Sequence, residues 1–213
     1  MTYKPKVIFF DWNKTLSVSL FWSHMNPYSG HKYASYHKKL ITALFVDNKN
    51  LINPWMRGEY DTKQIMDILS PLVGLSSKIL EEELIISCKN QSYVDPVVPK
   101  LIGEVKNKGI KVVIATDNMD TFRNYTVPSM NLETLFDDLL ISCELKTLKG
   151  DHDEDSIPFF NQYLSKNDLT YKDVVLLDDC TDETGVYEKL GLKINQITSS
   201  KVLVSLLKAY AKS

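Results

Sequence analysis

Two adjacent carboxylates, Asp178 and Asp179, close an uninterrupted apolar run, Val174-Val175-Leu176-Leu177. Neighbouring acids repel each other, and a hard divalent cation with a preference for oxygen relieves that repulsion. An acidic cluster opening a helix is the alternative. A third carboxylate, Asp11, follows the run Val7-Ile8-Phe9-Phe10 and leads into Trp12-Asn13-Lys14-Thr15-Leu16, a turn whose main-chain amides can hold an oxyanion. It reads as a nucleophile or as an Asp capping that turn. Thr116-Asp117-Asn118, after Val112-Val113-Ile114-Ala115, offers a hydroxyl and N–H groups suited to phosphate oxygens, or an ordinary helix N-cap. Lys149 could supply a cation to a nucleophile and a transferring group, with Lys146 as a competing candidate and solvated surface as the plain alternative. Displacing a phosphoryl group from an ester needs a nucleophile, neutralisation of its equatorial oxygens and a proton for the leaving oxygen. These residues offer the first two.

The elements that must position them follow from the apolar pattern. Val7–Phe10, Val112–Ala115, Leu139–Ile141 and Val174–Leu177 read as buried parallel strands, each ending in a polar residue. Helical spacing over Pro96 to Lys108, Ile157 to Leu164 and Thr184 to Leu190 alternates with them, and Gly109 and Gly191 supply stops. The alternation implies an α/β chain with a doubly wound, mostly parallel sheet, whose ligands collect beyond the carboxyl ends of the strands. Asp11, Thr116, Asp178 and Asp179 all belong to that edge. Residues 17–95 break the pattern. Asp61 and Gln64 form a capping-box signature ahead of Ile65, Ile68 and Leu69, and Ser76 to Cys88 reads as a second amphipathic helix. We therefore expect an α-helical cap over residues 17–95, with 1–16 and 96–213 forming the core. The Tyr-, His- and Lys-rich stretch from His24 to His37 reads either as a solvated cap surface or as a substrate-facing wall.

Composition narrows the function. Hydrophobic residues make up 44% of 213 and charged residues 24%, which is enough to bury a core. With 25 Lys and Arg against 27 Asp and Glu, nothing draws the chain broadly to nucleic acid or to an anionic membrane. No run of roughly twenty apolar residues and no signal-peptide pattern occurs, so the expected location is cytoplasmic. Cys88, Cys143 and Cys180 lack disulfide or zinc spacing and read as reduced thiols. Asp151, Asp153 and Asp155 alternate like a calcium loop, but Ser156 stands where Gly is required and Gln162 where a bidentate Glu is. The ordered Ser, His and acid set of an esterase does not occur.

Taken in order, DWNKTL, VVIATDN, SCELKTLK and VVLLDDCTDE resemble the four motifs of the haloacid dehalogenase superfamily of aspartate-nucleophile hydrolases, over nearly the whole chain. The resemblance implies a Rossmann-like core with a helical cap inserted after the first motif. It implies that Asp11 attacks phosphorus, that Thr116 binds a phosphoryl oxygen and that Lys149 bridges nucleophile and phosphate, with Trp12, Asp117 and Asn118 beside a small phosphorylated substrate. Asp11, the main-chain carbonyl of Asn13 and Asp179 would hold Mg²⁺, with Asp178 as a direct or water-mediated ligand and Glu183 or Asp182 in support. Lys14, Gly150 and Glu183 depart from the commoner residues of these motifs, and Asn13 departs most. The family's phosphatases carry there an Asp that acts as general acid and base, a role contributing typically ~10²–10⁴-fold. An amide cannot deliver that proton. Members that act on halogenated acids also lack this Asp, but they keep no acidic pair for a metal.

Overall fold

Apolar residues on both faces of each strand call for cover on both sides, and the computed structural model, which describes residues 4–213, provides it. Five parallel strands form one sheet in the order β3-β2-β1-β4-β5. They are β1 (Val7–Phe10), β2 (Lys111–Thr116), β3 (Asp138–Ile141), β4 (Val174–Asp178) and β5 (Lys193–Gln196). Ile8, Phe10, Val112, Ile114, Val175 and Leu177 pack on one side with helices Val98–Lys106 and Ser200–Tyr210. Val7, Phe9, Val113, Ala115, Val174 and Leu176 pack on the other with Phe159, Phe160, Tyr163 and Leu164 of helix Pro158–Lys166. The chain is an α/β protein with a parallel sheet flanked by helices.

Two elements lie beyond the sequence reading. Strand β5 carries Lys193, Asn195 and Gln196 at the sheet edge, so no apolar run announces it. The Ser200–Tyr210 helix follows it, capped by Ser199. The helix expected over Thr184 to Leu190 begins later, at Val186, because Gly185 takes a left-handed conformation just before it.

Register fixes the functional edge. Phe10 pairs with Ile114 on one side and Leu177 on the other, and Thr116 pairs with Ile141. The ends of β1, β2 and β4 are therefore level. From β1 the chain builds towards β2 and β3, then returns to place β4 on the opposite side of β1, so a topological switch point lies between β1 and β4.

Between β1 and the Val98–Lys106 helix lies a helical insertion with an apolar core of its own, including Trp22, Leu40, Leu44, Trp55, Ile65, Leu69, Leu80 and Leu84. Its longest helices are Thr62–Val73, opened by the Asp61–Gln64 capping box, and Ser77–Lys89, capped by Ser76. From beyond the insertion, Met119 of the loop after β2 buries into this core and Tyr125 packs against it. The chain enters and leaves at neighbouring points: Val94 N–H donates to the Leu16 carbonyl (2.8 Å), and Ser92 N–H to Ser19 Oγ (3.1 Å). Among the described residues, no helix is long and apolar enough to cross a membrane.

Candidate functional site

The switch point puts Asp11 and Asp178 side by side, because Asp11 continues β1 and donates its N–H to the Leu177 carbonyl (2.9 Å) while Asp178 ends β4. Lys149 reaches both, with Nζ 2.7 Å from Asp11 Oδ1 and 2.5 Å from Asp178 Oδ2. All three are buried, at 5%, 3% and 8% exposure for Asp11, Asp178 and Lys149. Lys146 instead donates to the Gly58 carbonyl (3.1 Å). The segment bearing Lys149 is held at its main chain: its N–H donates to Asp117 Oδ1 (2.9 Å) and its carbonyl accepts from the Tyr187 hydroxyl (2.6 Å). Tyr187 escaped the sequence reading, since nothing local to it signals a partner 38 residues away.

Two buried carboxylates thus share one ammonium, with the half-buried Asp117 close by. Burial raises the Asp11 pKa well above the usual carboxylate range, Lys149 opposes that shift, and the charge of Asp178 adds to it. Burial also raises Asp117. Burial works against the charge of Lys149, but Asp11, Asp178 and Asp117 outweigh it and hold the ammonium protonated. The surplus of negative charge here is what a bound divalent cation offsets.

A cavity of about 380 Å³ opens on this group, lined by Asp11, Asn13, Asp117, Lys149, Asp178 and Asp179 among others. Asp179 is the half-exposed member of the acidic pair, with Lys14 Nζ 3.5 Å from its Oδ2. Lys14 takes a left-handed conformation (φ 58°), which residues other than glycine rarely adopt. Asn13 is exposed and lines the cavity. Asp178 and Asp179 bring carboxylate oxygens within 4.8 Å of each other, and Asp11 and Asn13 line the same cavity, so the donors on offer are oxygens of the kind a hard cation takes. Cys180, which the sequence left as an unremarkable thiol, adds its sulfur to the rim of this group. Burial and the charges of Asp178 and Asp179 push its pKa up to about 11, and a soft sulfur suits a hard cation less well than the neighbouring carboxylates do. Asp182 and Glu183 stand away from the cavity lining, which passes from Thr181 to Tyr187. Asp182 accepts the Glu188 N–H (2.8 Å) and so caps the following helix.

Thr116 ends β2 fully buried, and its Oγ1 has no partner among the described residues. That unmet hydrogen-bonding capacity is one a ligand oxygen would satisfy. Asn118 uses its N–H on Ser142 Oγ (2.8 Å) and its side-chain oxygen on the Met119 N–H (3.1 Å). Trp12 is buried against Tyr93 and Phe122, and its indole N–H donates to Gln91. Trp12 and Asn118 also line a second cavity of about 190 Å³, which meets the first at Asn13 and Asp117.

Hydrogen bonds hold the insertion over this edge. Asp120 accepts from Trp55 Nε1 (3.1 Å) and Thr62 N–H (3.1 Å), Arg57 grips Asp151 with two bonds, and Ser142 Oγ donates to the Met56 carbonyl (2.6 Å). Asp151 is therefore committed to an arginine, and Asp153 to the Asp155 N–H and Ser156 hydroxyl, which leaves no calcium loop. His24 and His31, at 27% and 24% side-chain exposure, turn onto buried Glu83 (2.8 and 3.4 Å) on the surface of the insertion, and neither lines the two cavities.

Solved structures share this fold over nearly the whole chain. A predicted HAD-like family hydrolase from Porphyromonas gingivalis superposes with a TM-score of 0.72, covering 99% of this chain and all of the other at 13% identity. The chain has the haloacid dehalogenase fold. A HAD family enzyme from Bacteroides thetaiotaomicron, in complex with magnesium and inorganic phosphate, matches at TM-score 0.65 and 15% identity over 92% of this chain and 96% of its own. The L-2-haloacid dehalogenase of Xanthobacter autotrophicus matches at 0.63 and 16% over 96% and 83%. No protein-family model and no curated protein matches the sequence. Bearers of the haloacid dehalogenase fold thus include both phosphate-bound and dehalogenating proteins, and the choice between them falls to the site.

Proposed function

We propose that the chain is a Mg²⁺-dependent phosphoryl-transfer hydrolase of small phosphorylated metabolites, working through an aspartyl-phosphate on Asp11. The observation that carries this reading is Lys149 bridging Asp11 and Asp178 beside the acidic partner Asp179. In the reaction an oxygen of Asp11 forms a bond to phosphorus as the bond to the leaving oxygen breaks. Lys149 holds the Asp11 carboxylate in position and balances charge on the transferring group. Thr116 offers its unpartnered hydroxyl to a phosphoryl oxygen, and Asp117 fixes the main chain of Lys149. Mg²⁺, held by Asp11, Asp179 and the Asn13 carbonyl with Asp178 direct or through water, would neutralise phosphoryl oxygens. The magnesium and phosphate in the Bacteroides neighbour support that part. Retention of both Asp178 and Asp179 favours phosphoryl transfer over dehalogenation.

Asn13 favours a second reading, a phosphoryl-ligand binder with little turnover, because no acid faces the leaving group from that position. Two measurements separate the readings. BeF₃⁻ with Mg²⁺ at about a hundred times its Kd should stabilise the protein by ~2.7 kcal/mol, or roughly 5–10 °C in Tm, and Asp11→Ala should abolish the shift. No shift in the wild type overturns phosphoryl acceptance. Steady turnover of a phosphorylated substrate, lost in Asp11→Asn, excludes the binder.

A further inference from the structure

The cavity that would receive the rest of the substrate is unusual in its charge. Leaving the junction at Asn13 and Asp117, its far wall is Leu20, Phe21, Phe45, Ile52, Met56 and Met119. Its remaining polar side chains, Ser19, Gln91 and Asn118, are neutral, and no Lys, Arg or His among the described residues lines it. An anionic group drawn in here would lose part of its hydration, find no counter-charge and face Asp117. A cationic group would find its only acid at the junction, already engaged with the Lys149 main chain. About 190 Å³ is room for one ring, since an apolar cavity of about 150 Å³ admits benzene. Independently, Asn13 cannot protonate a departing oxygen.

Resting on the phosphoryl-transfer reading, we infer that the substrate's organic part is neutral and apolar, with about one ring seated in this cavity, joined through an oxygen that departs unprotonated: an acyl phosphate of an apolar acid, or an aryl phosphate. An oxygen of Asp11 bonds to phosphorus, the bond from phosphorus to the leaving oxygen breaks, and the leaving group takes the electron pair as carboxylate or phenolate. Water then takes the phosphoryl group from Asp11, restoring the carboxylate, and its protons leave with inorganic phosphate and solvent.

The test compares kcat/KM with Mg²⁺ for phenyl, 4-carboxyphenyl, 4-aminomethylphenyl and 4-nitrophenyl phosphates, and for benzoyl and acetyl phosphates. Phenyl phosphate should exceed its anionic and cationic analogues on the order of a hundredfold. Benzoyl phosphate should exceed acetyl phosphate, and rates should fall steeply as the leaving group becomes more basic. Phe45→Arg, at a half-open wall position (38% exposed) that tolerates a long side chain, should reverse the preference towards 4-carboxyphenyl phosphate. Equal rates across the charge series, preference for a charged analogue, or indifference to leaving-group basicity overturns the inference while acetyl phosphate turnover leaves phosphoryl transfer standing. No turnover of any of them, with no BeF₃⁻ response, overturns both.

Discussion

Removing the Lys149 ammonium would leave Asp11 and Asp178 facing each other where water scarcely reaches. Breaking a buried pair from one side typically destabilises by ~3–5 kcal/mol, so Lys149→Met should lower stability to urea by that order. Added Mg²⁺ should recover part of it, since a cation can stand in for the lost charge but cannot repeat both hydrogen bonds. An unchanged midpoint would show that the acids are not both ionised in the folded protein. Asn13→Asp runs the other way. It should raise turnover of alkyl phosphates by up to ~10²–10⁴-fold while barely changing that of acyl phosphates, read as a flattened dependence on leaving-group basicity. At this scale Asp11, Thr116 and Asp178 were legible in the sequence because each follows an apolar strand. Choosing Lys149 over Lys146 needed the order of the motifs, since both lie in the same loop. Tyr187, Gln91 and the sulfur of Cys180 were not legible, because their roles come from contacts that only the folded chain creates.

The loop that carries Lys149 is also gripped from the insertion. Arg57 holds Asp151, two residues beyond Lys149, and both partners are partly open to solvent, at 28% and 34% side-chain exposure. A pair this exposed contributes only ~0–1 kcal/mol. Arg57→Ala should therefore change the unfolding midpoint little, yet lower kcat/KM on the order of tenfold as the lysine loop loosens. A fall in stability with unchanged kinetics would make the pair a plain surface tie. Strands β1 to β4 declared themselves by apolar runs, and the Asp61–Gln64 capping box and the amphipathic spacing from Ser76 to Cys88 announced the two long insertion helices. Strand β5 stayed hidden because an edge strand half open to water needs no apolar run. The His24–Glu83–His31 contact was equally hidden, since Glu83 is more than 50 residues from either partner and reads locally as one more acid on an amphipathic helix.

Across the whole molecule, apolar clusters cover the two faces of the sheet and a third fills the insertion, and the smaller cavity is lined by Trp12 from the first kind and Phe21, Ile52 and Met119 from the last. The doubly wound pattern made the sheet and its functional edge readable in advance, while the shape and charge of the space under the insertion depend on side chains from segments far apart in sequence. The Val94 to Leu16 hydrogen bond has a consequence of its own. The two ends of more than seventy intervening residues lie one bond apart, so to the sheet that whole stretch is geometrically no more than a turn. Descendants of such a chain could lengthen, shorten or exchange it without shifting Asp11, and chemistry and taste for substrate could then pass through an ancestry as separately heritable pieces.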